Sequence, residues 1–268
     1  MSPGTARAAV ALVLVLAAPG VAHAGLADQA GATFALMADD FARAFQPAEG
    51  MVVAVEGETI YLDLSAARGA QVGQEFTIFR KGAEFVHPLT AKPLGRYEEM
   101  LGYAHVKRVR ERFSEAQYVP VDGRPRPQEG DGVRITRGRL KIAVTPVLDL
   151  TASKADLRRV PFMFATVLER SKRFQVTDPL TVGELFAHGG ARVEEVLGLP
   201  DRATRLAKSL DVTGWVVPVL LERRGVTYLD ATWISAVTGT ALFSRRLPLV
   251  PPTGAEEQRF PWEPGVED

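Results

Sequence analysis

The sequence predicts an α+β protein: an N-terminal helix and a small closed β-barrel, then a mixed-sheet α/β domain with helices on one face. Three observations predict it. Apolar residues recur at helical spacing over 26–46, the period drops to two over 50–137, and strand-like and helix-like runs alternate over 140–250.

The helix comes first. Leu26, Ala30, Phe34, Met37, Phe41 and Phe45 fall at steps of three or four, the repeat of one helix face, while Asp28, Asp39, Asp40 and Arg43 lie off that stripe. Pro47 ends the run, so the amphipathic helix is assigned to 25–46. The stripe is expected to pack on the protein's own barrel or sheet, with helix and barrel forming one unit. Acids on its polar face argue against a membrane-surface helix, which favours Lys and Arg there.

The barrel is assigned to 47–137. Val53 and Val55 alternate with polar or small neighbours, Glu56-Gly57-Glu58 turns the chain, and Ile60, Leu62 and Leu64 alternate again. Glu75–Arg80 is a further strand, with short strands near 84–87, 102–110, 113–119 and 132–136. So many short strands with Gly-rich turns and no helix signal suggest closure, which removes sheet edges. Asp122–Gly132 reads as a loop, and Thr136–Arg139 as the hinge to the next domain.

The α/β domain is assigned to 138–250. Leu140–Val147 is nearly continuous in apolar residues, as in a strand covered on both faces. Leu157, Val160, Phe164, Val167 and Leu168 mark a helix, Phe174–Val176 a short strand, and Pro179 the first position of a second helix capped by Asp178. A third helix carries Ala203, Leu206, Ala207 and Leu210, and a three-strand meander over 214–247 closes the domain. The Pro-rich, acidic stretch 251–268 is expected to be an extended or disordered tail.

The first 24 residues read as a secretory signal peptide. Arg7 supplies the positive n-region, Ala8–Ala18 is an 11-residue apolar run, and Ala22-His23-Ala24 places small residues where a signal peptidase reads. Cleavage is expected between Ala24 and Gly25. The run falls short of the roughly 20 apolar residues a membrane span requires, so no transmembrane span is expected after removal of the signal, and the chain is placed in the periplasm or outside the cell.

Composition narrows the chemistry. Thirty-two basic and 32 acidic residues in 268 give no net charge, which argues against a general nucleic-acid binder. The absence of Cys removes disulfides, thiolate metal sites and Cys nucleophiles. No Gly-x-Ser-x-Gly elbow, His-Glu-x-x-His or P-loop occurs. His105 is expected on a solvent-exposed barrel edge rather than as a zinc ligand. Asp149 and Asp156 are the best carboxylate pair, expected to face water. No catalytic residue, cofactor or metal is assigned.

Binding features are clearer. The densest basic run, Lys107-Arg108-Val109-Arg110-Glu111-Arg112, reads as a solvated barrel edge, with Lys107, Arg108 and Arg110 as candidate partner contacts. Phe260 and Trp262 stand in the polar tail, either packing back on the parent domain or docking in a partner's groove.

Two resemblances follow from quoted residues. Val52-Val53-Ala54-Val55-Glu56-Gly57 leading into Ile60–Leu64, then Gly69–Gly73, Phe76–Arg80, His87-Pro88-Leu89-Thr90, Leu94-Gly95, Ser114-Glu115-Ala116 and Gly130–Val133 together resemble the C-terminal domain of the flagellar assembly protein T family. That resemblance implies a small β-barrel of a secreted periplasmic protein supporting a basal-body ring. Residues 139–247 are similar to a group that includes the N-terminal domain of the Tol–Pal protein B and the periplasmic domain of the curli secretion lipoprotein. The carrying elements are Lys141–Pro146, Leu168–Phe174 and the Ala236–Thr240 turn. Here the α/β domain follows the barrel, whereas the related domain of the flagellar family precedes it. The resemblances imply binding and assembly modules with no chemistry of their own. The expected function is therefore a non-enzymatic assembly protein that contacts other envelope or appendage proteins. The alternative is a cell-wall glycan-binding module using Tyr61, Tyr103 and the basic run.

Overall fold

The structure is a computed structural model that describes residues 25–153, 155–188 and 190–251. Ala24, Phe260 and Trp262 lie outside the described residues. The chain opens with helix α1 (Leu26–Ala44) and continues into β1 (Ala48–Glu56), β2 (Thr59–Leu62), β3 (Glu75–Val86), β4 (Pro93–Val109), β5 (Ser114–Pro120) and β6 (Gly132–Ile135). These six strands close into a barrel in the order β1-β2-β5-β4-β3-β6, with β6 pairing back onto β1. Inward-facing Val52, Ile60, Leu62, Phe76, Ile78, Leu101, Val106 and Val133 fill it. The expected separate strands near 84–87 and 102–110 are parts of two long ones, β3 and β4, which form a single hairpin.

The second sheet begins with β7 (Leu140–Val144) and β8 (Leu148–Asp149), followed by α2 (Val160–Arg170), β9 (Phe174–Val176), α3 (Pro179–His188), α4 (Val193–Gly198) and α5 (Pro200–Leu210). The meander β10 (Gly214–Arg223), β11 (Val226–Ser235) and β12 (Ala241–Pro248) closes it. Strand order is β12-β11-β10-β7-β9, with β8 pairing β10; β9, β7 and β10 are parallel and the last three strands antiparallel.

The α+β class and the order of elements match expectation, but the placing of the helices is corrected. They cover both faces of the second sheet. Ile142, Val144, Val216, Leu220, Leu229, Ala231 and Trp233 face α1 and α2. Ala143, Trp215, Val217, Val219 and Ile234 face α3, α4 and α5. The reason is topological. From β7 the chain steps to β9 on one side through α2, then returns to β10 on the other side through α3–α5. Parallel crossovers are right-handed, so a reversal of direction sends the two connections to opposite faces.

Helix α1 is the second correction, because its apolar stripe belongs to the core of the second sheet. Phe34 stacks on Phe164 of α2 with ring centroids 3.7 Å apart, Phe41 meets Phe243 edge-on at 5.0 Å, and Phe45 lies 4.0 Å from Trp233. A Cβ on Gly31 would sit 2.1 Å from the Met163 side chain, so the absence of a side chain there lets α1 and α2 close. The physical reason is a shortage of cover. Within its own region α2, an 11-residue helix, is the cover on a face five strands wide, whereas the barrel fills its own interior.

Barrel and sheet are fastened at several points. A Cβ on Gly73 would lie 2.0 Å from the Leu242 carbonyl oxygen, so the barrel loop rests directly on β12. Gln74 Nε2 donates to the Ala44 carbonyl at 2.9 Å. Arg173, 8% exposed, donates to the carbonyls of Phe45, Gly138 and Thr136, gathering the end of α1 and the segment between β6 and β7 around one guanidinium. Burial lowers the pKa of that guanidinium.

Candidate functional site: a hairpin arm and the domain seam

The β3–β4 hairpin outgrows the barrel that carries it. Strand β6 pairs with β3 at Thr77–Phe79, and β5 pairs with β4 from Gly102 to Val109. Beyond those points the two strands pair with each other, from Phe79–Met100 to Val86–Pro93. From Arg80 to Val86 the arm extends about 20 Å at the usual rise of a strand. Lys81–Val86 are all exposed, as are Pro93, Leu94 and Arg96–Glu99, so both faces of the ribbon meet solvent.

The base of the arm is tied down and its tip is apolar. Arg80 holds the buried Asp131 through two hydrogen bonds of 2.8 Å. Arg134 pairs with Glu98 at 2.7 Å and lies over the Phe79 ring at 4.3 Å, while Arg124 pairs with Glu99 at 3.3 Å. Further out, Phe85 and Tyr97 touch at 5.0 Å between centroids, with Tyr97 65% exposed. Val86, Leu94 and Leu89 complete the apolar end, and Leu89 at the turn is 90% exposed. His87 organises that turn: its Nδ1 accepts from the amides of Leu89 at 3.2 Å and Thr90 at 3.3 Å. A two-stranded ribbon has little stability of its own, and apolar side chains gathered at the tip of one are the usual material of a contact surface. The expectation of separate short strands near 84–87 and 102–110 leaves no room for this arm, which runs unbroken through β3 and β4. The available signal was Leu89 and Leu94 set among turn residues, where polar side chains are the rule.

The basic run behaves differently. Lys107, Arg108 and Arg110 are exposed on the barrel wall, but Arg110 pairs with Glu115 at 2.8 Å and Arg108 approaches the same carboxylate at 3.7 Å. The residues assigned to glycan contact do not converge. Tyr61 donates to Glu56 at 3.0 Å, which raises its pKa. Tyr103 sits in the cleft between barrel and second sheet, its pKa raised by burial and by Glu75. Their cross-strand partners on β5 are Glu115 and Val119, four residues apart.

His105 is corrected from exposed to buried, at 4% exposure. Its Nε2 lies 2.5 Å from Glu75 Oε2, and the same oxygen accepts from Ser235 Oγ at 2.7 Å. Alternation along β4 does turn His105 outward, but that outer wall is covered by the β11–β12 turn. Glu75 lies between Ser and His and each pairs with it, so the histidine is not placed to take the serine proton. The arrangement is a clasp across the domain seam. Asp149 accepts from Thr151 at 2.9 and 2.7 Å, and Asp156 pairs with Arg158 at 2.5 Å. Arg158 draws the Asp156 carboxyl down to about 2. Among the described residues no group of three or more His, Asp or Glu could hold a metal ion, and no helix is long and apolar enough to cross a membrane.

Fold and site together describe an α+β protein whose barrel carries a projecting, solvent-exposed hairpin. No protein-family model matches the chain, so the flagellar resemblance remains an expectation of its sequence. An uncharacterized protein of Aquifex aeolicus is 37% identical over 89 residues, which is 33% of this chain and 17% of that relative. Among solved structures, the LpoB C-terminal domain from Escherichia coli aligns with a TM-score of 0.35 at 13% identity, covering 41% of this chain and 82% of that one. Lipoprotein GNA1162 from Neisseria meningitidis aligns with a TM-score of 0.33 at 15% identity, covering 42% and 82%. None of these likenesses defines an activity for the chain.

Proposed function

We propose that the protein is an exported, non-enzymatic assembly factor of the cell envelope that docks a partner protein through the β3–β4 arm. The observation that supports this is the arm itself, a ribbon about 20 Å long with an apolar tip, ion-paired at its base and bare on both faces. Its strands carry unpaired backbone edges, suited to adding a partner strand. Phe85, Leu89 and Tyr97 supply the large side chains that anchor such contacts. Export rests on the leader, 1–24. The resemblance of 50–137 to the flagellar assembly domain makes a basal-body ring one setting for this work. Phe260, Trp262 and Lys107 are secondary candidate contacts, since Arg108 and Arg110 already share Glu115.

Photo-crosslinking in the native cell tests the reading. A benzophenone side chain at position 89 or 97 is expected to trap one discrete partner, and the same probe at 107 to trap none or much less. Equal capture from all three positions would remove the arm from the proposal. Export has its own check: protein from a periplasmic extract should begin at Gly25.

A further inference from the structure

A crevice of about 690 Å³ opens where the connections leaving β7 and β9 part to opposite faces of the sheet. In open α/β sheets this is the place where ligands bind, outside the carboxyl ends of the strands. The volume falls within the usual range of ligand sites, about 300–1,000 Å³. Its walls include Pro146, Leu157, Pro161, Phe162, Pro179 and Leu180. Three of these are prolines, which hold their backbone rigid and offer no N–H, so the wall is preformed and poor in donors.

Two features say what would enter. The first is Gly183, in the interior of α3. A Cβ built there meets nothing within 4 Å, and its φ is not positive, so neither packing nor backbone requires glycine. A helix-interior glycine is unfavourable relative to alanine; here its effect is to widen the crevice. The second is charge. Arg158 is taken up by Asp156, Asp149 is satisfied by Thr151, and the α3 amide of Leu180 is capped by Asp178 at 3.0 Å. The Glu184 carboxylate, exposed on the rim, has no ion pair or hydrogen bond among the described residues.

We propose that this crevice binds an apolar peptide segment of a partner protein that carries a basic side chain, with the apolar residues between Phe162 and Leu180 and the cation on Glu184. It is a second contact site, independent of the arm.

Two capped tripeptides, Leu-Phe-Lys and Leu-Phe-Glu, serve as probes against the full-length chain, followed by methyl NMR of Val147, Leu157 and Leu180. The Lys peptide is expected to shift these signals and to bind about fivefold more tightly than its Glu counterpart, the range of an exposed ion pair. Glu184→Gln should erase that preference. Gly183→Leu should abolish binding while leaving the melting temperature equal or higher, since it fills open space and improves the helix. Equal binding of both peptides, a preference that survives Glu184→Gln, or no shift at the crevice would overturn the proposal. So would binding that appears only in the Phe260→Ser/Trp262→Ser chain, which would make the protein's own tail the occupant. None of these outcomes bears on crosslinking from the arm.

Discussion

The two sheets meet the same problem, unpaired edges and uncovered faces, in opposite ways. The barrel closes on itself, buries its inner face on its own side chains and needs no helix. The second sheet stays open and is covered on both faces, in part by a helix drawn from the far end of the chain. The lesson concerns where each region can spare surface. A closed barrel can extend one hairpin outward without exposing its core. An open sheet cannot lose a covering helix without losing the core beneath it.

Cutting that cover should produce the largest effect. Phe34→Ala removes a fully buried ring stacked on Phe164, and large-to-small changes of this type cost about 3–5 kcal/mol. Hydrogen exchange should then show β10 and β11 losing protection while β1, β2 and β5 keep theirs. Equal loss in both regions would mean that barrel and sheet unfold as one unit and that the contrast has no thermodynamic content.

Next in size is the clamp between them. Arg173→Met leaves the carbonyls of Phe45, Gly138 and Thr136 without their cation. Hydrogen bonds to a charged donor are worth roughly 1.5–3 kcal/mol each and do not add fully, so a loss of about 3 kcal/mol in chemical denaturation is expected. Glu75→Gln should cost less, about 1–2 kcal/mol, since an amide still reaches Ser235 but no longer offers His105 a charged acceptor. A melting temperature unchanged in both variants would show that the seam contributes no stability.

Much of this architecture was legible in the sequence, and the misses have physical causes. The Phe34–Phe41–Phe45 stripe announced α1, because helical spacing is a local property. What the stripe packs on depends on which face is short of cover, which is not local. The run Leu140–Val147 already indicated a strand covered on both faces, and that reading conflicts with helices on one side; the reversal of strand order at β7 resolves it. His105 was misplaced because alternation fixes the side of a strand and not what lies against it. The arm escaped because a ribbon wet on both faces has no buried side to impose a period of two. The crevice escaped except for Asp149 and Asp156, because its walls come from loops and helix starts far apart in the chain.

The smallest effect on stability belongs to the arm, and there it carries the most information. Leu89→Ser changes a side chain that is 90% exposed, and substitutions at such sites stay within about 0.5 kcal/mol. Tyr97→Ser loses its contact with Phe85 as well, and aromatic pairs add about 0.5–1.5 kcal/mol, so its cost should lie near the lower end of that range. In the double variant the melting temperature should barely move, while crosslinking to the partner from a neighbouring arm position, 86 or 94, should fall by an order of magnitude or more. A protein that keeps its fold and loses its partner would show that the barrel spends this surface on recognition. A large drop in melting temperature would instead make the ribbon part of the barrel's own structure, and the partner would have to be sought at the crevice between α2 and α3.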